Sequence, residues 1–178
     1  MFFVFRKYIF RSNISFCFPD FQRWSMRKRV YSFLFLFLIL FSLASCDGNN
    51  KSTFDISSSV SEKFPFKYGK VYSDEFEKDD EFYFGDDLKK IIFGDNFNKF
   101  TYIESVSGYF SRDMVSGSEF IAVRLTDRSH RAEITACFYR RAALKTDMET
   151  RVMCEGNFVF FICDRYAESI SKYAVSLV

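Results

Sequence analysis

Apolar residues are spaced differently in successive stretches of this 178-residue chain, and each spacing predicts an element. Val30 to Cys46 is a run of 17 residues without a charge, apolar at first and small-sided at its end. After Cys46 the pattern lapses into DGNNKSTFDISSSVS, with little to bury, which predicts a flexible tether as far as Ser61. Fifteen such residues reach about 50 Å fully extended and roughly 20 Å as a coil. Over 62–85 aromatic and charged residues alternate. Phe64, Phe66 and Tyr68 keep a period of two around Pro65 and Lys67, the pattern of a short edge strand or extended arm, since proline is tolerated at sheet edges. Asp86-Asp87 followed by LKKIIFG predicts a short helix. Its acids sit in the first turn where the dipole favours them, Gly94 is a C-cap, and Leu88, Ile91 and Ile92 form the buried stripe.

The second half is more regular. Tyr102–Phe110 and Glu119–Thr126 are rich in β-branched and aromatic residues and read as strands, with SRDMVSG between them as the turn. Asp127–Lys145 reads as a helix whose apolar face is Ile134, Cys137, Phe138 and Ala142, with Asp127 or Ser129 as N-cap. Arg140, Arg141 and Lys145 gather at its C-terminal end, where the helix dipole accounts for them. Gly156-Asn157 joins Thr150–Glu155 to Phe158–Cys163 as a two-residue hairpin. Both alternating faces of FVFFIC are apolar, so this strand should be interior and covered on both sides. Tyr166–Leu177 closes the chain as an amphipathic helix. The fold class that follows is α+β, a layered domain with a mostly antiparallel sheet, in the order β-β-α-β-β-α after a short N-terminal helix.

The uncharged run has a direction. Arg27, Lys28 and Arg29 precede it and Leu43-Ala44-Ser45-Cys46 ends it. A basic start, a short apolar middle and a small-residue cut are the parts of a secretory signal peptide. The final tetrad resembles the lipobox of bacterial lipoproteins. That resemblance implies cleavage between Ser45 and Cys46 and lipidation (diacylglycerol, palmitate) of the Cys46 thiol. A spanning anchor is the competing reading, but it needs roughly 20 apolar residues, whereas signal h-regions run about 7–15. Met26 begins a leader of ordinary proportions over 26–45, so residues 1–25 read as a misplaced gene start. The alternative is a long cytoplasmic n-region.

Charge follows the same boundary. Residues 1–45 carry seven of the 25 Lys/Arg and one of the 23 Asp/Glu, so the remainder holds 18 against 22 and is net −4. Nucleic-acid binding needs a clustered basic face, and none is visible, so no nucleic acid is expected as a partner. From Cys46 to Val178 there are 133 residues, enough for one cored domain, expected over 62–178 beyond the acylated cysteine and tether at 46–61. Phe is frequent, 26 of 178, a bias of composition that makes aromatic count alone poor grounds for a ligand platform.

Chemistry reads mostly as exclusion. The chain holds one histidine, His130. Cys137, seven positions on along the helix, is about 10.5 Å away along its axis, whereas a nucleophile and its base need about 2.6–3.2 Å. A solvated histidine at a helix start is the plainer reading. Cys137, Cys154, Cys163 and His130 would just make a four-ligand zinc set, but no CxxC or HxxxH spacing supports one. If Gly156-Asn157 is the hairpin turn, Cys154 faces Val159 and Cys163 faces Thr150. The two thiols then stand about 13 Å apart along the strand, too far for a bridge. Cys137 with Cys163 stays open, and buried free thiols are simpler. SDEFEKDDEFYFGDD holds eight carboxylates in 15 residues, yet its acids do not follow calcium-loop spacing. It reads as a solvated loop whose Phe82 and Phe84 dock on the core. No phosphate-cradling glycine motif is present among seven scattered glycines. No catalytic residue, metal site or cofactor is therefore expected.

From SGSEFIAVRLTD through the helix to EGNFVFFICD the chain is similar to a family of small lipoproteins of Firmicutes that carry a domain of unknown function. The match spans residues 88–170, with the strand, the helix and the late G-N-F-V strand, and the family resembles this chain also in its lipobox leader and Ser-rich tether. It departs in a shorter link after the helix, without a Tyr-x-Pro there. The resemblance implies no catalytic residues. Together these features predict a lipid-anchored protein on the extracytoplasmic face of the cell membrane. It would act as a non-enzymatic binding or accessory module, with an envelope protein as one partner open to it. The competing expectation is an envelope hydrolase using carboxylates of the acidic arm, recognisable as two carboxylates about 5–10 Å apart across a cleft.

Overall fold

The computed structural model describes residues 51–113, 117–145 and 147–178. The leader, Cys46 and the first residues of the expected tether lie outside them, as does the middle of the turn after Asp113. The described elements, in chain order, are α1 (Thr53–Lys63), β1 (Lys70–Ser73), α2 (Asp86–Phe93), β2 (Ile103–Phe110), β3 (Glu119–Leu125), α3 (Arg131–Ala142), β4 (Thr150–Glu155), β5 (Phe158–Cys163) and α4 (Ala167–Val175). The strands form one sheet in the order β1-β2-β3-β5-β4, every neighbouring pair antiparallel. This is an α+β layered domain. Among the described residues no helix is long and apolar enough to cross a membrane.

The pleat of the central strands explains the layers. On β5, Val159, Phe161 and Cys163 point into a core shared with Ile121, Val123, Ile134 and Phe138, covered by α2 and α3. Phe158, Phe160 and Ile162 point the other way, into a core with Phe120, Ala122, Ile56, Val60 and Ile170, covered by α1 and α4. All six β5 side chains are buried, as a strand apolar on both faces must be. Gly156, at φ +52, supplies the left-handed conformation that a two-residue hairpin turn needs. The register follows from it: Cys154 faces Val159 and Thr150 faces Cys163.

The expectation of a flexible tether to Ser61 is corrected. Ser52 caps α1 by accepting from Asp55 N at 3.1 Å, and Asp55 reciprocates to Ser52 N at 3.2 Å, a capping box. Ile56 and Val60 are fully buried one turn apart. Between them Ser57 shares a 2.5 Å hydrogen bond with Ser107 of β2. A serine-rich run thus becomes a helix because its two apolar residues land on one face and its buried hydroxyl finds a partner.

The edge strand expected at Phe64–Tyr68 is also corrected. Those residues form a turn, Gly69 N donating to Phe66 O at 3.1 Å, and the edge strand begins at Lys70. Phe66 N donates to the Tyr109 hydroxyl at 2.6 Å while the two rings stack at 4.2 Å, so the backbone donor is used outside any ladder. A Cβ on Gly69 would lie 2.3 Å from the Tyr109 ring, and only glycine allows this approach. In α2 the buried face is Ile92 and Phe93 with Leu88 half-buried, whereas Ile91 is 56% exposed. Phe93 packs on Phe138 because Gly94 ends the helix there and leaves the ring facing α3. A single 3-10 turn, Arg128–His130, precedes α3, capped by Asp127 accepting from Ser129 N at 2.8 Å.

Candidate binding cleft

At one end of the sheet, α1 and β2 finish, β3 begins and β5 finishes. The turn after α1 crosses this end and, with the segment that follows β5, encloses a cleft of about 490 Å³ lined by residues 63–67, Ser118, Met148 and residues 164–166. Exposure grades along its walls. Asp164 and Phe66 are buried, Phe64, Ser118 and Met148 half-buried, and Lys63, Pro65, Lys67, Arg165 and Tyr166 exposed.

Asp164 is fixed as the floor. Its carboxylate accepts from Ser118 Oγ at 2.5 Å and from Tyr166 N at 2.7 Å, and its own N–H donates to Glu149 O at 3.0 Å. A carboxylate has about four acceptor positions, and these two donors do not fill them. The rim is cationic. Lys63 Nζ lies 3.8 Å from the centre of the Tyr173 ring, Lys67 Nζ 5.6 Å from Tyr68 and the Arg165 guanidinium 4.7 Å from Tyr166. Such contacts hold a cation in place without neutralising it. None of the three forms an ion pair with a carboxylate of the described residues. The cleft lining is thus net positive on a domain that, from Lys51 onward, carries 18 Lys/Arg against 21 Asp/Glu.

Directly behind the floor is a buried ion cluster. Glu119, fully buried at the start of β3, accepts two hydrogen bonds from the Arg141 guanidinium, one of them 2.7 Å from Nε, and pairs with Lys145 Nζ at 3.1 Å. Arg141 and Lys145 are therefore not explained by the helix dipole, as the sequence led us to expect. They neutralise a carboxylate on the inner face of the sheet. The sequence carried the signal: Glu119 falls in phase with Ile121, Val123 and Leu125, and Arg141 extends the Ile134-Cys137-Phe138 stripe by one helical step. Cys163, buried beside this cluster, has its thiol pushed up to about 11, burial outweighing the lowering effect of Lys145.

The remaining candidate residues lie apart from the cleft. His130 stacks on Tyr102 with ring centres 3.9 Å apart, and its Nδ1 is 3.1 Å from Glu133. Tyr102 donates to the same carboxylate at 2.8 Å. The histidine hydrogen bond, then the tyrosine one, hold Glu133 below the usual carboxylate range. Cys137 contacts Arg140 at 3.0 Å, and Cys154 contacts Thr135 at 3.5 Å. Cys137, Cys154 and Cys163 are free thiols. No group of three His, Cys, Asp or Glu side chains among the described residues is placed to hold a metal ion.

The acidic arm is divided among several tasks. Glu75 accepts from Thr53 Oγ1 at 2.8 Å and Phe54 N at 3.3 Å, at the start of α1. Asp79, Asp80 and Glu81 are exposed, Phe84 is fully buried and Phe82 is half-buried against Tyr72. Asp74 accepts from Val106 N at 2.8 Å and pairs with Lys89 at 3.2 Å. Burial nonetheless pushes its carboxyl above the ordinary 3.8. Asp74 shares a cavity of about 210 Å³ with Asp86 and Lys89. Compared with family models, curated proteins and solved structures, the chain matches none.

Proposed function

We propose that the chain is an extracytoplasmic lipoprotein, held to the membrane by a lipid on Cys46, whose α+β domain works as a non-enzymatic binding module through the cleft at the Asp164 end of the sheet. The observation that carries the reading is the cleft's charge. Three cations that form no ion pair with a carboxylate of the described residues surround one opening on a net acidic domain, each laid over an aromatic ring. That arrangement suits recognition of an anionic group. The leader motif ending at Ser45-Cys46, and the similarity to Firmicutes lipoproteins, support the anchor. Because α1 starts at Thr53, only six residues separate it from Cys46, a reach of at most about 24 Å over seven residue steps. Thr53 hydrogen-bonds Ser105 and Phe66 contacts Tyr109, so α1 runs along β2 toward the cleft.

Intact mass of the membrane-extracted protein from a lipoprotein-competent bacterium, beside Cys46→Ala, tests the anchor. The expected result is a diacylated species beginning at Cys46 and absent from the variant. An unmodified, uncleaved chain would overturn it. The hydrolase reading retains one supporting observation, the raised Asp74 carboxyl in a cavity with Asp86. Against it, both Asp74 oxygens already hold partners. Hydrolysis of envelope glycan by the purified chain, abolished in Asp74→Asn, would establish that reading instead.

A further inference from the structure

We infer that the cleft takes a phosphorylated saccharide, with ring hydroxyls directed to Asp164 and the phosphate met by Arg165, Lys63 and Lys67. The inference rests on the cleft being the binding site, and it names the ligand class.

Three kinds of group line the cleft. One is an acceptor, the buried Asp164 carboxylate, with lone pairs to spare after Ser118 and Tyr166 N. A buried carboxylate of this kind is matched by a ligand's hydroxyl donors, as sugar hydroxyls are. Beside it on the walls stand buried Phe66, half-buried Phe64 and exposed Pro65, apolar surfaces that suit the C–H face of a pyranose and offer no polar partner to a charged group. At the mouth come the cations. Arg165 presents a planar fork that pairs with phosphate oxygens, and the lysines add two point charges. The volume, about 490 Å³, lies in the range of small-molecule sites, roughly 300–1,000 Å³. A bare anion would leave Asp164 unmatched and would be repelled by it. A neutral sugar would leave the three cations unmatched. A phosphorylated sugar satisfies every layer.

The probe set is a panel of hexose and N-acetylhexosamine 1- and 6-phosphates, the neutral sugars, inorganic phosphate and an oligomer of phosphodiester-linked hexose. Each is titrated calorimetrically into the full chain in non-ionic detergent. At least one sugar phosphate should bind about tenfold or more tighter than its neutral sugar and than inorganic phosphate, the worth of one charged or donor contact. Arg165→Ala, exposed and outside the core, should weaken that binding at least about tenfold with an unchanged melting midpoint. Asp164→Asn should weaken the sugar phosphate and, with the repelling charge removed, tighten inorganic phosphate. If that variant does not fold, Lys67→Ala tests the same site. A monosaccharide phosphate equal to the oligomer assigns a free sugar, and a tighter oligomer assigns a polymer. Inorganic phosphate binding as tightly as every sugar phosphate, or no panel member binding below about 1 mM, overturns the inference. Cys46→Ala chain should bind equally. In the unsubstituted chain, binding with Cys46 found unacylated would retire the anchor alone, and acylation without binding would retire the ligand alone.

Discussion

Removing the Glu119 carboxylate should be among the most damaging single changes available in this domain. Glu119 is fully buried, and its two partners are nearly so, with Arg141 and Lys145 side chains 6% and 4% exposed. Glu119→Ala removes the buried carboxylate that Arg141 and Lys145 share. Breaking a buried ion pair from one side costs about 3–5 kcal/mol, much of it the stranded partner. A domain of this size is stable by about 5–15 kcal/mol, so about a fifth or more of its stability is at stake. At a few degrees per kcal/mol, the melting midpoint should fall on the order of 10–20 °C. Urea unfolding followed by far-UV circular dichroism gives the number, with an unchanged m-value confirming that the native state stays compact. Replacing all three together, Glu119→Leu with Arg141→Met and Lys145→Met, should be near neutral or stabilising, since no charge is then stranded. A loss below about 1 kcal/mol in Glu119→Ala, the range of exposed pairs, would refute the reasoning and place water in the cluster.

Other consequences can be measured directly. Ile56→Ala should cost about 2–5 kcal/mol by the same urea assay if α1 is part of the core, and nothing if that stretch is a tether. Under native conditions iodoacetamide should modify Cys154, which is exposed, and spare Cys137 and Cys163, which burial keeps as thiols. Peptide mass mapping reads the three sites separately. The raised Asp74 carboxyl means the folded state holds that proton more tightly than the unfolded chain. Its contribution to stability should therefore be present below the ordinary carboxyl range and decline as pH rises through the folded pKa. Asp74→Asn should flatten that part of the stability–pH curve, and an identical slope in both proteins would exclude Asp74 as its source.

What the residues revealed beforehand depended on how local the cause was. The β4–β5 register was legible from Gly156-Asn157 alone, because a two-residue turn fixes every pair behind it. The double burial of β5 was legible because both of its faces are apolar. Helix α1 was not, since its case rests on Ser57 meeting Ser107 fifty residues away, and Ile56 and Val60 alone make a thin stripe. The turn at Phe64–Gly69 was hidden for a similar reason, its donor being taken by Tyr109. The cleft was the least visible. Its floor and rim come from stretches around Lys63, Ser118 and Asp164 that only the sheet brings together, and nothing in any one of them departs from ordinary surface composition.

Helices α1 and α4 lie on the same face of the sheet and touch through Phe64 and Tyr173. One is the first of the described elements and the other the last of them, with Leu177 buried just after it. A chain delivered residue by residue from its N-terminus cannot close that face as it emerges. Phe120, Phe160 and Ile162 stay uncovered until the final helix arrives, whatever has already formed on the α2–α3 side. Closure of that layer is thereby deferred until Ala167–Val175 is available, which makes α4 the element that commits it.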